Sequence, residues 1–295
     1  MSNQGVNVDF GLVAKDSQAD TNHSCEPCPQ RIDSVRELVY DHYEQHGRNL
    51  PWRKTTDPYC ILVSEVMLQQ TQVDRVAPRY LSFLERFPDF VSLASATPSE
   101  VLREWQGLGY NRRALSLQAA ARQVVESHGG VLPEDKRSLM SLPGIGSYTA
   151  SAIRAFAFNQ PDAFIETNIR EVFIHHFFPE AESVTDAEIM PLVEMAVDRE
   201  NPRRWYQALM DYGVKLKQQG NASRRSAHHR PQSRFSGSRR QARGEILRLL
   251  LASGRLSLEA LRESSDIWDT RYEDALKAML QEGVVREHSG EYGLD

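Results

Sequence analysis

Two glutamates lie in segments where a carboxyl group could act chemically. Glu65 sits in Ile61-Leu62-Val63-Ser64-Glu65-Val66-Met67-Leu68. On a helix it shares a face with Ile61 and Leu68, four residues before it and three after. A carboxyl group on that face meets an apolar interior or a cleft. Burial disfavours its charged form and raises its pKa, and a carboxyl tuned upward is a good general acid near neutral pH. Periodicity alone also allows a helix-edge Glu paired with an Arg. Glu166 follows Ala163-Phe164-Ile165 and precedes a helix beginning near Asn168. A helix N-terminus favours negative charge, so this group is expected to stay ionised. Two carboxyl groups whose environments push their pKa values apart suit acid–base chemistry at a glycosidic bond. The other reading of Glu166 is a simple N-terminal charge.

Three turns could carry a ligand. Leu142-Pro143-Gly144-Ile145-Gly146-Ser147-Tyr148-Thr149 lies between two helical stretches. Its glycines let backbone N–H groups approach a ligand closely, and the helix beginning near Thr149 adds its positive end. Such a hairpin suits a phosphate, and it positions a nucleic acid without reading bases. Gln69-Gln70-Thr71-Gln72 is a polar cluster just after Glu65, and Gly107-Leu108-Gly109-Tyr110 is a glycine-relaxed turn presenting an aromatic ring. The Tyr could wedge into a base stack and the glutamines could replace a displaced base, or both could be surface decoration. Cys25-x-x-Cys28 resembles half of a metal knuckle, but no second pair follows it, so it reads as a chance pair in a tail.

The elements that must position these groups are mostly helical. At 295 residues the chain suggests about two domains. Its 40% hydrophobic and 25% charged residues exclude a disordered chain. No apolar run approaches the roughly 18 residues of a membrane span. No signal peptide is visible, and three sparse cysteines argue against a disulfide scaffold and fit a reducing cytoplasm. Residues 1–30 read as a flexible tail. From 31 to 217 the pattern is helical: Ile32, Val35, Leu38 and Val39 make one apolar face, and Thr97-Pro98-Ser99-Glu100 and Thr185-Asp186-Ala187-Glu188 are helix-start boxes. No alternating strand is long enough to found a sheet. After a basic connection at 218–240, residues 241–252, 257–263 and 269–282 read as helices. Val284-Val285-Arg286 and Glu291-Tyr292-Gly293-Leu294 read as strands around Ser289-Gly290. Three helices closed by a hairpin predict a winged-helix-like domain over 241–295, a pattern found both in DNA-binding and in protein-docking modules.

The net charge of −5 hides a segregation. Lys215, Lys217, Arg224, Arg225, Arg230, Arg234, Arg239, Arg240 and Arg243 fall in one stretch without Asp or Glu. Taking those nine from 35 Lys and Arg leaves 26 against 40 acidic residues, a balance of −14. A basic segment on an acidic protein reads either as a polyanion site or as a solvated linker.

Taken in order, Leu50-Pro51-Trp52-Arg53, Asp57-Pro58-Tyr59, Ser64 to Val73, Trp105 to Tyr110 and Leu142 to Gly146 resemble the MutY adenine DNA glycosylases. These belong to the helix–hairpin–helix superfamily that includes endonuclease III. The resemblance spans 31–217. It implies a mainly α fold, a two-lobed multi-helix helix–hairpin–helix glycosylase domain, ahead of the winged-helix-like part. It also implies hydrolysis of a base–deoxyribose bond in double-stranded DNA after the base is flipped into a pocket. By the same resemblance Glu65 matches the general acid that protonates adenine at N7, Asn168 an active-site Asn, and Glu166 a position where the family has an Asp that stabilises the cationic sugar. Tyr148 stands where endonuclease III carries a Schiff-base Lys, which implies a monofunctional enzyme that leaves an abasic site. Gln69, Gln70 and Tyr110 match duplex-probing residues. Arg53 and Leu68 fall at the base pocket. Leu142, Gly144, Ile145, Gly146, Thr149, Arg224, Arg225 and Arg230 fall on the DNA-binding side.

Three departures qualify this. Glu166 adds a methylene to the family's Asp. The family's four cluster cysteines correspond here to Lys217, Arg224, Ala227 and Ser233, so no [4Fe–4S] cofactor is expected. The family's C-terminal 8-oxoguanine-reading domain is expected to be absent, its place taken by the winged-helix-like part. The expected protein is a cytoplasmic, nucleoid-associated monomer that excises a mispaired base, with adenine opposite 8-oxoguanine or G favoured. A mismatch thymine or uracil glycosylase and a non-catalytic DNA-binding relative are the alternatives.

Overall fold

A computed structural model describes residues 29–230, 234–265 and 268–294. Cys25, Cys28 and Ser233 lie outside them. The first unit is built from eleven helices: α1 (Pro29–His46), α2 (Pro58–Leu68), α3 (Val73–Arg86), α4 (Phe90–Ser95), α5 (Pro98–Glu104), α6 (Arg112–His128), α7 (Lys136–Ser141), α8 (Ser147–Phe158), α9 (Thr167–Phe177), α10 (Asp186–Ala196) and α11 (Pro202–Gln219). Their starts follow local chemistry. Asp57 accepts from the N–H groups of Tyr59 and Cys60 and Pro58 opens α2. Thr97 with Glu100 and Thr185 with Glu188 form the two expected capping boxes, each contributing about 1 kcal/mol.

Helix α2 is the spine of this unit. Every side chain from Tyr59 to Met67 apart from Cys60 is buried, so it is enclosed nearly all round rather than on one face. Helices α3, α6 and α8 surround it. A second layer packs α9 along α11, with α1 and α10 behind them. Trp105, Trp205, Tyr206, Phe83 and Phe173 are the large fully buried side chains of the core, and each removes on the order of 1.5–3 kcal/mol worth of apolar surface from water.

After the short turn Ala222–Arg225 comes α12 (Arg239–Ser253), then β1 (Leu256–Ser257), α13 (Leu258–Glu263), α14 (Thr270–Gln281), β2 (Arg286–His288) and β3 (Glu291–Gly293). The sheet order is β1-β3-β2, all antiparallel. Two expectations shift. The stretch read as a helix over 257–263 begins at Leu258, because Leu256 and Ser257 pair with Tyr292 and Glu291. The strand read at 284–286 begins at Arg286, because the N–H groups of Val284 and Val285 both turn back to the Met279 carbonyl.

The α9–α11 contact sets the position of the site. Gly213 presses against the start of α9 so closely that a Cβ there would lie 2.4 Å from the Asn168 carbonyl oxygen and 2.7 Å from its Cβ. Backbone cannot yield as a flexible side chain can. Gly213→Ala is therefore expected to lower unfolding stability by about 1–3 kcal/mol. Chemical denaturation checks this, and unaltered stability would show that α9 can shift freely.

Candidate active site

The enclosure of α2 places Glu65, with only 6% of its surface exposed, at the wall of a cavity of about 200 Å³. Tyr148 of α8 and Glu166 and Asn168 at the start of α9 share that wall. Burial, reinforced by the charge of Glu166, pushes the Glu65 carboxyl up to about 8, against the pull of a hydrogen bond from Tyr148. Burial and the same two carboxyl groups push the Tyr148 hydroxyl well above its ordinary value. Near neutral pH the site thus holds a protonated carboxyl group beside a neutral phenol.

Glu166 is itself the N-cap of α9. Its Oε1 accepts from the backbone N–H of Asn168 at 2.7 Å and of Ile169 at 3.0 Å, and its Oε2 from Asn168 Nδ2 at 3.2 Å. One carboxylate thus satisfies the helix end and borders the cavity. Arg48, Leu50, Trp52, Arg53, Leu68, Gln207 and Met210 also line the cavity. Arg53 is locked by Asp211, donating to its two oxygens at 2.7 and 2.8 Å, and Arg48 and Arg53 together hold the Asp211 carboxyl below the usual range against its burial. The cavity is smaller than the roughly 300–1,000 Å³ of a drug-sized site, which suits one planar base.

The other turns meet at a separate groove of about 940 Å³. Gln69, Gln70, Tyr110 and Gly144 all line it, together with Phe235, Arg240 and Arg248 from the C-terminal unit. Gln70 (φ 55°) and Tyr110 (φ 49°) both hold left-handed backbone, a conformation bulky residues adopt at a cost and mostly at functional positions. Arg113, which spacing did not single out, fastens both turns. Its guanidinium donates to the carbonyls of Val66, Met67, Gln69 and Gly109 and to the Thr71 hydroxyl, and it lies against the rings of Trp105 and Tyr110. Burial lowers it to about 10.

The hairpin 142–146 joins α7 to α8 as its glycines predict, with Gly144 at φ +80° and Gly146 as an N-cap whose helix has no side-chain cap. The N–H groups that open α8 remain available to an anion. Leu142 and Ile145 are buried anchors of the hairpin, and their N–H groups donate to the Leu139 and Leu142 carbonyls. Thr149 is also buried, and its hydroxyl accepts from Gln69 Nε2 at 3.1 Å. Arg224 and Arg230 are exposed. Arg225 corrects an expectation: rather than facing phosphate, its guanidinium is spent on the carbonyls of Phe178, Pro179 and Ala181.

Glu171, fully buried on α9, is a second residue the spacing did not reveal. It accepts from the N–H groups of Ala222 and Ser223 at 2.6 and 2.7 Å. Ala227 and Arg225 pair with Val184 alongside. The segment after α11 is therefore held by a carboxylate, a guanidinium and backbone pairing. Lys217, Arg224 and Ala227 offer an ammonium, a guanidinium and a methyl group, which do not fit iron ligation. Among the described residues no cluster of His, Cys, Asp and Glu could hold a metal ion, and no helix is long and apolar enough to cross a membrane.

Comparison with known proteins places the chain in a family. Residues 63–195 match the model described as HhH-GPD superfamily base excision DNA repair protein. The adenine DNA glycosylase of Mycolicibacterium smegmatis is 33% identical over 269 residues, covering 83% of this chain and 90% of that protein. That of Mycobacterium tuberculosis is 30% identical over 290 residues, covering 90% and 94%. The human adenine DNA glycosylase is 35% identical over 195 residues, covering 62% of this chain and 36% of that protein. Among solved structures, a thermostable thymine-DNA glycosylase aligns with a TM-score of 0.58 at 28% identity, covering 63% of this chain and 87% of that one. An endonuclease III trapped on DNA aligns at 0.56 and 18%, covering 64% and 88%, which speaks to fold alone.

The carboxyl pair has a consequence for stability. Glu65 ionises near 8 when folded but near its ordinary 4.5 when unfolded. Between those values the folded chain keeps a proton the unfolded chain has lost, so this group's contribution falls as pH rises towards 8. Glu65→Gln, which cannot ionise, is expected to melt several degrees above the unsubstituted protein at pH 8, with the gap closing towards pH 4.5. A gap that does not change with pH would mean that Glu65 is not held protonated.

Proposed function

Because the chain belongs to the adenine DNA glycosylase family within the HhH-GPD superfamily of base excision DNA repair proteins, we propose that this DNA glycosylase is monofunctional, acts on adenine mispaired with 8-oxoguanine or G, and works without an iron–sulfur cluster. The observation that carries the reading is the buried Glu65, protonated near neutral pH and lining a base-sized cavity together with Glu166.

The chemistry follows from the two carboxyl groups. An extruded adenine enters the cavity against Trp52, Leu68 and Met210. Glu65 gives its proton to N7, so that the base departs neutral while the glycosidic bond breaks. The deoxyribose is left as a cation, which the Glu166 carboxylate faces and stabilises. Water adds its oxygen to C1′ and returns a proton to Glu65, leaving free adenine and an abasic site. Opening the sugar ring and cutting the strand by the lyase route needs an amine. The cavity wall presents Tyr148 and two guanidinium groups and no lysine, which supports a reaction that stops at the abasic site. Strain at Gln70 and Tyr110 supports their use against the duplex once the base has left it. The uncapped start of α8 and exposed Arg224 and Arg230 suit phosphates. The helix, strand, two helices and hairpin after residue 238 support a winged-helix-like reading of the C-terminal unit, and Arg240 and Arg248 place positive charge on its side of the groove. Thymine opposite G is the second reading, favoured by the likeness to the thymine-DNA glycosylase.

Base release from duplexes carrying A opposite 8-oxoguanine, A opposite G, T opposite G and U opposite G tests both. Release of adenine, with strand breaks only after alkali, is expected. Thymine or uracil release moves the protein to the second reading, and strand breaks without alkali overturn the monofunctional one. The single-turnover rate should be level below pH 8 and fall about tenfold per unit above it, as Glu65 loses the proton it must donate. A rate that rises through pH 8 would reject Glu65 as the acid.

A further inference from the structure

Lys217 follows Gly213 by one turn on α11, so both sit on the face that meets α9. The close approach at Gly213 brings the start of α9 against that face. Into this contact Lys217 sends its ammonium group, 2.7 Å from Asn168 Oδ1. An ammonium group can only donate. It therefore selects the oxygen end of the Asn168 amide and turns Nδ2 towards Glu166 Oε2, 3.2 Å away. The lysine is half-buried, and the charged groups facing it are Glu166, Glu171 and Arg170. It is not among the residues that line the base cavity.

We propose that Lys217 is a positioning residue for base release: it locks the Asn168 amide and, through it, the Oε2 of Glu166, fixing from outside the cavity the carboxylate that faces the cationic sugar. The geometry separates this from a simple brace between α9 and α11. A brace could meet any acceptor on α9, whereas this ammonium meets the side-chain amide that donates to Glu166 Oε2. A misplacement of about 1 Å at a reacting group costs on the order of 10²-fold in rate.

The rate test rests on the glycosylase reading. The full chain is compared with Lys217→Met, which keeps the apolar stem and removes the donor, and Lys217→Gln, which keeps a shorter N–H donor. Lys217→Met is expected to slow single-turnover base release by about 10²-fold with duplex affinity unaltered, and Lys217→Gln to recover part of the loss. In an Asn168→Ala background Lys217→Met should cause no further slowing, because the two act in series. A Lys217→Met rate equal to that of the unsubstituted protein, or losses that multiply in the double variant, overturns the proposal. Should Lys217→Met fail to fold, Lys217→Gln carries the same comparison: its smaller loss must vanish in the Asn168→Ala background. If the unsubstituted protein releases no base from any duplex, the functional reading fails, and positioning is read by NMR instead. The Asn168 side-chain amide protons should then exchange faster in Lys217→Gln than in the unsubstituted protein, and equal exchange rejects the lock.

Discussion

A carboxyl group enclosed by apolar side chains resists ionisation, and much of the architecture follows from keeping Glu65 in such a place. The helix that carries it must be covered on nearly every side, which is why α2 runs through the middle of the first unit with α3, α6 and α8 around it. A helix so enclosed has polar ends that must be satisfied within the protein. At its start Asp57 accepts two backbone N–H groups. At its end the carbonyls of Val66 and Met67 fall to Arg113. The same guanidinium holds Gly109 beside Tyr110, so closing the end of the acid's helix also fixes the turn that faces the groove. Acid and probing loops are thus coupled through one half-buried cation.

The second carboxylate is placed by a different economy of groups. Glu166 ends a helix and borders the cavity at once, and its acceptor positions are occupied by Asn168 and Ile169. An aspartate at an N-cap can take the same two backbone donors, as Asp57 does at the start of α2, so the cap alone does not require the longer side chain. Pressure from α11 at Gly213 keeps that cap from drifting.

What the sequence disclosed was mostly local. The capping boxes at Thr97 and Thr185 and the hairpin at 142–146 are written in consecutive residues, and the structure has them where spacing predicted. Glu65 was legible as a carboxyl on an apolar face, although the face proved to be almost the whole helix. Arg113, Glu171 and Gln207 were not legible, because each matters through partners distant along the chain. Arg225 shows the limit of reading charge: a run of basic residues looks like a phosphate site, yet one of them is needed by the exposed carbonyls that end α9. Strand β1 was missed because two residues are too few to show alternation.

The segment after α11 draws these observations together. In the cluster-free reading it must be ordered by the protein alone, and the buried and half-buried charged groups present are the kind that can do so. Glu171 takes two N–H groups where Ala222 and Ser223 turn, Arg225 takes the carbonyls at the end of α9, and Lys217 takes Asn168. Charge-assisted hydrogen bonds of this kind contribute about 1.5–3 kcal/mol each, and removing one partner leaves the other buried and unsatisfied. All three clasp α9, whose first residues hold Glu166. A segment anchored in this way transmits its order to the helix that positions the second carboxylate, so the loop's stability and the site's geometry depend on the same few bonds.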